Sequence, residues 1–272
     1  YSLKLLGGDP LPMGTVGKDF GDYRARLRAL EIPDQLIVEI PTLYTAQCTI
    51  TTDLDNNQIT AFHPGAMAEA HRNRVSDAKG VTLGIVAPDG RDAMLQHASD
   101  FAKAKIRFLF DPGQNLPLFS KDELFTFLDQ ASWCVMNEYE SQLLVNKTNT
   151  SITDLACRLE ALIITRGGGG SEIYITGDKI EIPAVPVKGV LDPTGCGDAY
   201  RAGLLYALDK EWPWETAGRI GSMLGAIKAE HRGTQNHHFT LETFAERLDT
   251  CLGCLLYTSP SPRDATLSGV AG

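Results

Sequence analysis

The stretch Trp133-Cys134-Val135-Met136-Asn137-Glu138-Tyr139-Glu140-Ser141-Gln142-Leu143-Leu144-Val145 passes without a break from a strand pattern (133–137) into a helical one (138–145). Its strand half is apolar at consecutive positions, as in a parallel sheet covered on both faces. The same unit recurs on either side. Residues 81–87 read as a strand and 92–104 as a helix; 106–111 follow as a strand and 121–130 as a helix. Residues 162–165 form another strand, running into Gly167-Gly168-Gly169-Gly170, which reads as a strand–loop junction. A hairpin is expected over 171–176 and 179–182, then helices after Asp198 and over 214–231. This alternation predicts an α/β fold, a mostly parallel central sheet flanked by helices on both faces.

The first third of the chain has another rhythm. Residues 12–17 read as a short strand and 19–30 as a helix with Phe20, Tyr23, Leu27 and Leu30 on one face. Residues 36–40, 45–52 and 58–62 read as strands with no helix between them, the last two joined by a turn at 53–57. They predict a small antiparallel sheet attached to the main domain.

With 272 residues, 43% hydrophobic and 22% charged, the chain is long enough for one large α/β domain. A net charge of −9 argues against a nucleic-acid or anionic-membrane surface. No apolar run is long enough to span a membrane. The six cysteines are scattered and read as reduced thiols of a cytoplasmic protein, and Cys251 and Cys254 lack the second pair a zinc site needs. Residues 3–8 read as the end of a helix with a glycine cap, which leads us to expect further sequence before Tyr1. Residues 253–272 lose periodicity and fill with Ser, Pro and Thr; they read as a disordered, non-native tail.

Ligands of open α/β sheets bind at the carboxyl ends of the strands. Here those ends carry Asp111-Pro112-Gly113, Asn137 to Glu140, Thr165-Arg166-Gly167 and the turn Asp192-Pro193-Thr194-Gly195-Cys196-Gly197-Asp198. In that turn, backbone N–H groups at glycines and at a helix start form an anion site, and Asp198 stands beside them as a candidate general base. An anion site and a base in one turn suit phosphoryl transfer to a hydroxyl. There is no GxxxxGK[ST] loop, no early GxGxxG, no HExxH and no GxSxG.

These motifs, in this order, resemble the ribokinase (PfkB) carbohydrate-kinase family, in its adenosine or nucleoside kinase-like branch, from Tyr1 to about Cys251. The turn Asp192 to Asp198 is similar to the family signature D-T-x-G-A-G-D, with Cys196 in place of Ala. Asn137-Glu138-Tyr139-Glu140 matches N-x-x-E. Thr165, Gly167 and Gly170 match T-x-G-x-x-G, Gly17 to Gly21 match the V-G-x-D-x-x-G element, and Gly233 resembles a late element near cation and adenine. The resemblance implies a ribokinase-like kinase domain over 1–252 with a β lid at about 36–63. It implies Asp198 as catalytic base and Gly195, Cys196 and Gly197 as the anion hole. Asn137, Glu140, Thr165, Arg166, Gly167, Gly170 and Gly233 would bind ATP, with Mg2+ reached from Glu140 through water. Asp192 and Thr194 correspond to the K+ positions of members activated by monovalent cations. Gln47, Phe62 and His63 are the lid candidates for the acceptor, Phe62 by stacking on a base.

The implied partners are ATP and a small-molecule acceptor, with no nucleic acid, no membrane and a homodimer through the lid. The acceptor expected first is adenosine; a sugar or sugar phosphate, and a silent nucleotide-binding fragment, stand as alternatives. The family's Gly-Gly-x-x-x-Asn segment and first strand would precede Tyr1, so this chain is expected to be N-terminally truncated, to bind the acceptor poorly and to fold poorly.

Overall fold

In the computed structural model, residues 1–53 and 58–253 are described; most of the turn expected at 53–57 and all but the first residue of the expected tail lie outside them. Trp133–Asn137 (β7) lies inside a sheet, between Arg107–Phe110 (β6) and Ala161–Thr165 (β8), parallel to both. Leu83–Val86 (β5) extends the parallel run beyond β6. Ser171–Ile175 (β9) and Asp178–Ile182 (β10) complete it in antiparallel sense, giving the order β10-β9-β8-β7-β6-β5.

Alternate residues of these strands supply two cores. Leu109, Trp133, Val135, Ala161 and Ile163 face Cys196–Asp209 (α7), Trp214–Ala229 (α8) and Leu241–Leu252 (α9). Phe108, Phe110, Cys134, Met136, Leu162 and Ile164 face Arg91–Ala104 (α3), Lys121–Gln130 (α4), Glu138–Thr148 (α5) and Ile152–Ala156 (α6). Period-2 alternation thus fills both faces, as the unbroken apolar runs require. Phe110 stacks on Phe127 at 4.4 Å between ring centroids. Each such buried ring contributes about 1.5–3 kcal/mol over an exposed one.

The N-terminal third departs from expectation in one respect. Leu36–Ile40 (β2) is not part of an antiparallel sheet but pairs in parallel with Met13–Gly17 (β1) across the helix Gly21–Ala29 (α2). Sequence neighbours without a long helix between them were misleading, because α2 already supplies the crossover that parallel pairing needs. The antiparallel sheet is the hairpin of Gln47–Thr52 (β3) and Gln58–His63 (β4) alone. Val16 of β1, Leu27 of α2, Phe20 and Ile32 form a small separate core, with Leu30 and, from β2, Ile37 packed against it. The short helix Ser2–Leu5 (α1) ends at Gly7, φ +82°, as the glycine cap predicts. Helices α6 and α9 were not legible beforehand.

Candidate active site

Asp111, Asn137 and Thr165 stand at or just beyond the carboxyl ends of three adjacent parallel strands, β6, β7 and β8. Asn137 and Thr165 are register partners, and the Thr165 hydroxyl donates to the Met136 carbonyl at 3.3 Å. At Asn137 the strand turns directly into α5 through a capping box. The Glu140 N–H donates to Asn137 Oδ1, and the Asn137 N–H donates to Glu140 Oε2, both at 2.8 Å. The N-x-x-E pair is therefore a helix start whose two side chains fix each other at the mouth of the sheet.

Above these strand ends sits the turn into α7. Gly195 is the N-cap residue, with φ +86°, and the helix begins at Cys196, so Asp198 lies in its first turn rather than before it. Gly195 also lies against the next loop: a Cβ there would meet Thr234 Cγ2 at 3.2 Å. The first N–H groups of a helix have no partner within it. Among the described residues the Gly195 and Gly197 N–H groups meet no acceptor, but the Cys196 N–H donates to the Pro193 carbonyl at 3.2 Å. The Cys196 N–H therefore closes the turn, whereas its two neighbours do not. Its thiol is pushed up by burial.

Asp192 binds the turn together. Its Oδ1 accepts the Thr194 N–H at 2.9 Å and its Oδ2 the Gly233 N–H at 2.8 Å. Burial opposes its ionisation, but those two donors and Lys228 outweigh it and hold the carboxyl below the usual range. Gly233, φ +79°, is thereby tied to the turn that leads into α7.

Asp198 is 80% exposed at its side chain. Below it runs an ion-pair relay that sequence reading missed. Arg201, one helical turn on, has Nη1 3.6 Å from Asp198 Oδ1 and Nε 2.5 Å from Asp111 Oδ2. Asp111 is buried, and its Oδ1 has no hydrogen-bond partner. Burial raises its pKa to about 6 against the pull of Arg201, with Glu140 and Asp198 adding to the rise. Asn137, Glu140, Thr165, Gly197 and Arg201 line one small cleft with Val135 and Met136. The signal for Arg201 was its i,i+3 spacing from Asp198.

Other expected residues fall outside this cleft's lining. Gly170, φ +85°, closes the β8–β9 turn, where a Cβ would press on the Ile182 carbonyl, and its own carbonyl accepts the Arg166 N–H at 2.8 Å. Gly167, φ +50°, lies in open space. Arg166 is engaged by Glu172 at 3.2 Å. In the lid hairpin Gln47 faces His63 and Cys48 faces Phe62. Successive strand residues point to opposite faces. Gln47 and His63 thus share one face of the hairpin and Phe62 lies on the other.

The sequence model of the pfkB family of carbohydrate kinases matches residues 2–240. The chain belongs to this family. It is a phosphotransferase acting on a hydroxyl acceptor. Among its relatives, a nucleoside kinase of Methanocaldococcus jannaschii is 34% identical over 249 residues, covering 91% of this chain and 82% of the relative. A Burkholderia thailandensis nucleoside kinase solved in complex with inosine superposes with a TM-score of 0.92 at 46% identity, covering 94% of this chain and 84% of that one. The same enzyme in complex with ADP-inosine superposes at 0.91. The pfkB fold accounts for the mostly parallel sheet, its flanking helices and the added hairpin. Among the described residues no helix is long and apolar enough to cross a membrane.

Proposed function

We propose that this pfkB-family chain transfers the γ-phosphate of ATP to a hydroxyl of a purine nucleoside, adenosine first and inosine beside it. The observation that carries the reading is the exposed Asp198 in the first turn of α7, beside the unpartnered N–H groups of Gly195 and Gly197. In this reading Asp198 takes the proton of the attacking hydroxyl, and the two N–H groups face the charge that builds on the transferring phosphoryl. Asn137, Glu140, Thr165, Gly167, Gly170 and Gly233 serve the nucleotide, and Arg201, which lines the cleft, faces its phosphates, whereas Arg166, expected to bind ATP, stays at the nucleotide's edge. The nucleoside class rests on the similarity to the two nucleoside kinases, one of them solved with inosine.

Mg2+ fits this site in the way a water-carrying ion does. Among the described residues no group of three or more His, Cys, Asp or Glu could hold a metal by itself. Mg2+ keeps several waters and is held through few carboxylates and substrate phosphates, so Glu140 would hold it through water. Bound there, it would neutralise phosphate charge.

Residues 1–252 form the kinase domain, in a cytoplasmic protein. Of the lid residues, Phe62, 50% exposed, is the stacking candidate. Ile59, 78% exposed on the opposite face, is the contact through which a lid-to-lid homodimer would form. The reading is tested by 31P NMR of the protein with ATP and adenosine. A new nucleoside phosphomonoester growing as ATP falls supports it; ADP and inorganic phosphate alone overturn it.

A further inference from the structure

The resemblance to cation-activated kinases assigns a K+ to the Asp192–Thr194 turn, and the residues there do not fit one. Lys228, near the carboxyl end of α8, has no exposed surface. Its Nζ donates to the Asp192 carbonyl at 2.7 Å and to the His231 carbonyl at 3.1 Å, with Asp192 Oδ2 at 4.0 Å. These are the oxygens of the very turn to which K+ would be assigned. A fully buried lysine is rare unless paired, and here every partner is an oxygen of the Asp192 turn or of the loop after α8.

We infer that the Lys228 ammonium is a built-in monovalent cation, taking the place of K+ beneath the catalytic turn. An ammonium and a K+ carry the same charge, and both are satisfied by carbonyl and carboxylate oxygens. A K+ sharing these carbonyls would stand against the ammonium in a dry site, where like charges repel strongly. The position matters because Asp192 fixes both ends of the arrangement. It holds the Thr194 N–H just ahead of Gly195 and holds the Gly233 N–H, whose loop packs on Gly195 through Thr234. Leu191 and Asp192 are further tied to the Ala229 carbonyl by their N–H groups, at 2.8 and 3.3 Å. A tethered cation holds this frame without drawing one from solution. Lys228 is thus a positioning residue, acting through Asp192 on the Gly195 turn.

The test compares KCl with tetramethylammonium chloride at equal ionic strength, in two readouts. Thermal unfolding needs no substrate, so its result stands whether or not the nucleoside reading, on which only the activity arm rests, is right. Wild type is expected to unfold at one temperature in both salts and to turn over within about twofold in both, since no cation binds the native state alone. Lys228→Ala is expected to lose about tenfold or more in turnover in tetramethylammonium, because the donors aimed at the phosphoryl lose their support. KCl should restore part of that turnover and raise the variant's unfolding temperature. Selective K+ activation or K+ stabilisation of wild type overturns the inference, as does a folded Lys228→Ala indifferent to K+. Should that variant not fold, Lys228→Gln is read in the same way, and the wild-type comparison still decides.

Discussion

Arg201 Nε lies 2.5 Å from Asp111 Oδ2, so the only cation lining the cleft among the described residues is anchored on a buried carboxylate of the neighbouring strand end. The pair joins two layers, since β6 leads to Asp111 while Arg201 rises from α7, the helix that carries Asp198. Removing one member strands the other. Arg201→Met should cost about 3–5 kcal/mol in denaturant-derived stability, because it leaves an uncompensated buried charge. The double variant Asp111→Asn/Arg201→Met should recover a large part of that loss. A double-mutant cycle with no coupling would contradict the pairing.

The same carboxyl gives a pH signature. Burial sets the Asp111 pKa at about 6, above its ordinary value of 3.8. The folded state therefore binds a proton more readily than the unfolded one, and this contribution to stability is fully present below pH ~4 and lost as pH rises through ~6. At 1.36 kcal/mol per unit, the shift is worth on the order of 2–3 kcal/mol. Urea titrations from pH 4 to 7 should show Asp111→Asn lacking that decline. Parallel curves for variant and wild type would be the contrary result.

Asp198 can be removed without disturbing the fold, because its side chain stands in solvent. Asp198→Asn is expected to lower kcat by ~10²–10⁴-fold, with an unchanged unfolding temperature and little change in nucleotide KM. Wild-type turnover by this variant would remove the assigned base.

Gly195 carries the turn's backbone. At φ +86° an alanine is strained, by about 1–2 kcal/mol for left-handed backbone, and its Cβ would press on Thr234. Gly195→Ala should therefore lower both stability and kcat. A loss of stability with kcat intact would separate the turn from the chemistry.

The lid makes a two-sided prediction. Phe62 points away from Gln47 and His63. Base–aromatic stacking is worth about 1–3 kcal/mol per base, so Phe62→Ala should raise the nucleoside KM roughly tenfold. Gln47→Ala and His63→Ala should leave it nearly unchanged. The reverse pattern would turn the lid over.

Much of this was legible in the chain. The apolar runs of β5 to β8 could only be strands covered on both faces, and the strand ends carried their polar residues in one row. What sequence could not give was direction and partnership. β2 read as antiparallel because nothing local distinguishes a short crossover from a hairpin neighbour. Gln47, Phe62 and His63 were grouped although their strand parity separates them. Cys196 matched the motif by size, while its N–H was committed to Pro193. Lys228 lay in plain view as the one charge within Ala226-Ile227-Lys228-Ala229, but its partners are backbone carbonyls, which no side-chain motif records.

Whether the acceptor is a nucleoside hydroxyl is decided by kcat/KM with ATP for adenosine, inosine, ribose and fructose 6-phosphate. Adenosine or inosine should exceed both sugars by ~10²-fold or more, the scale on which lost base contacts discriminate. Equal or higher kcat/KM for ribose or fructose 6-phosphate would contradict a nucleoside acceptor.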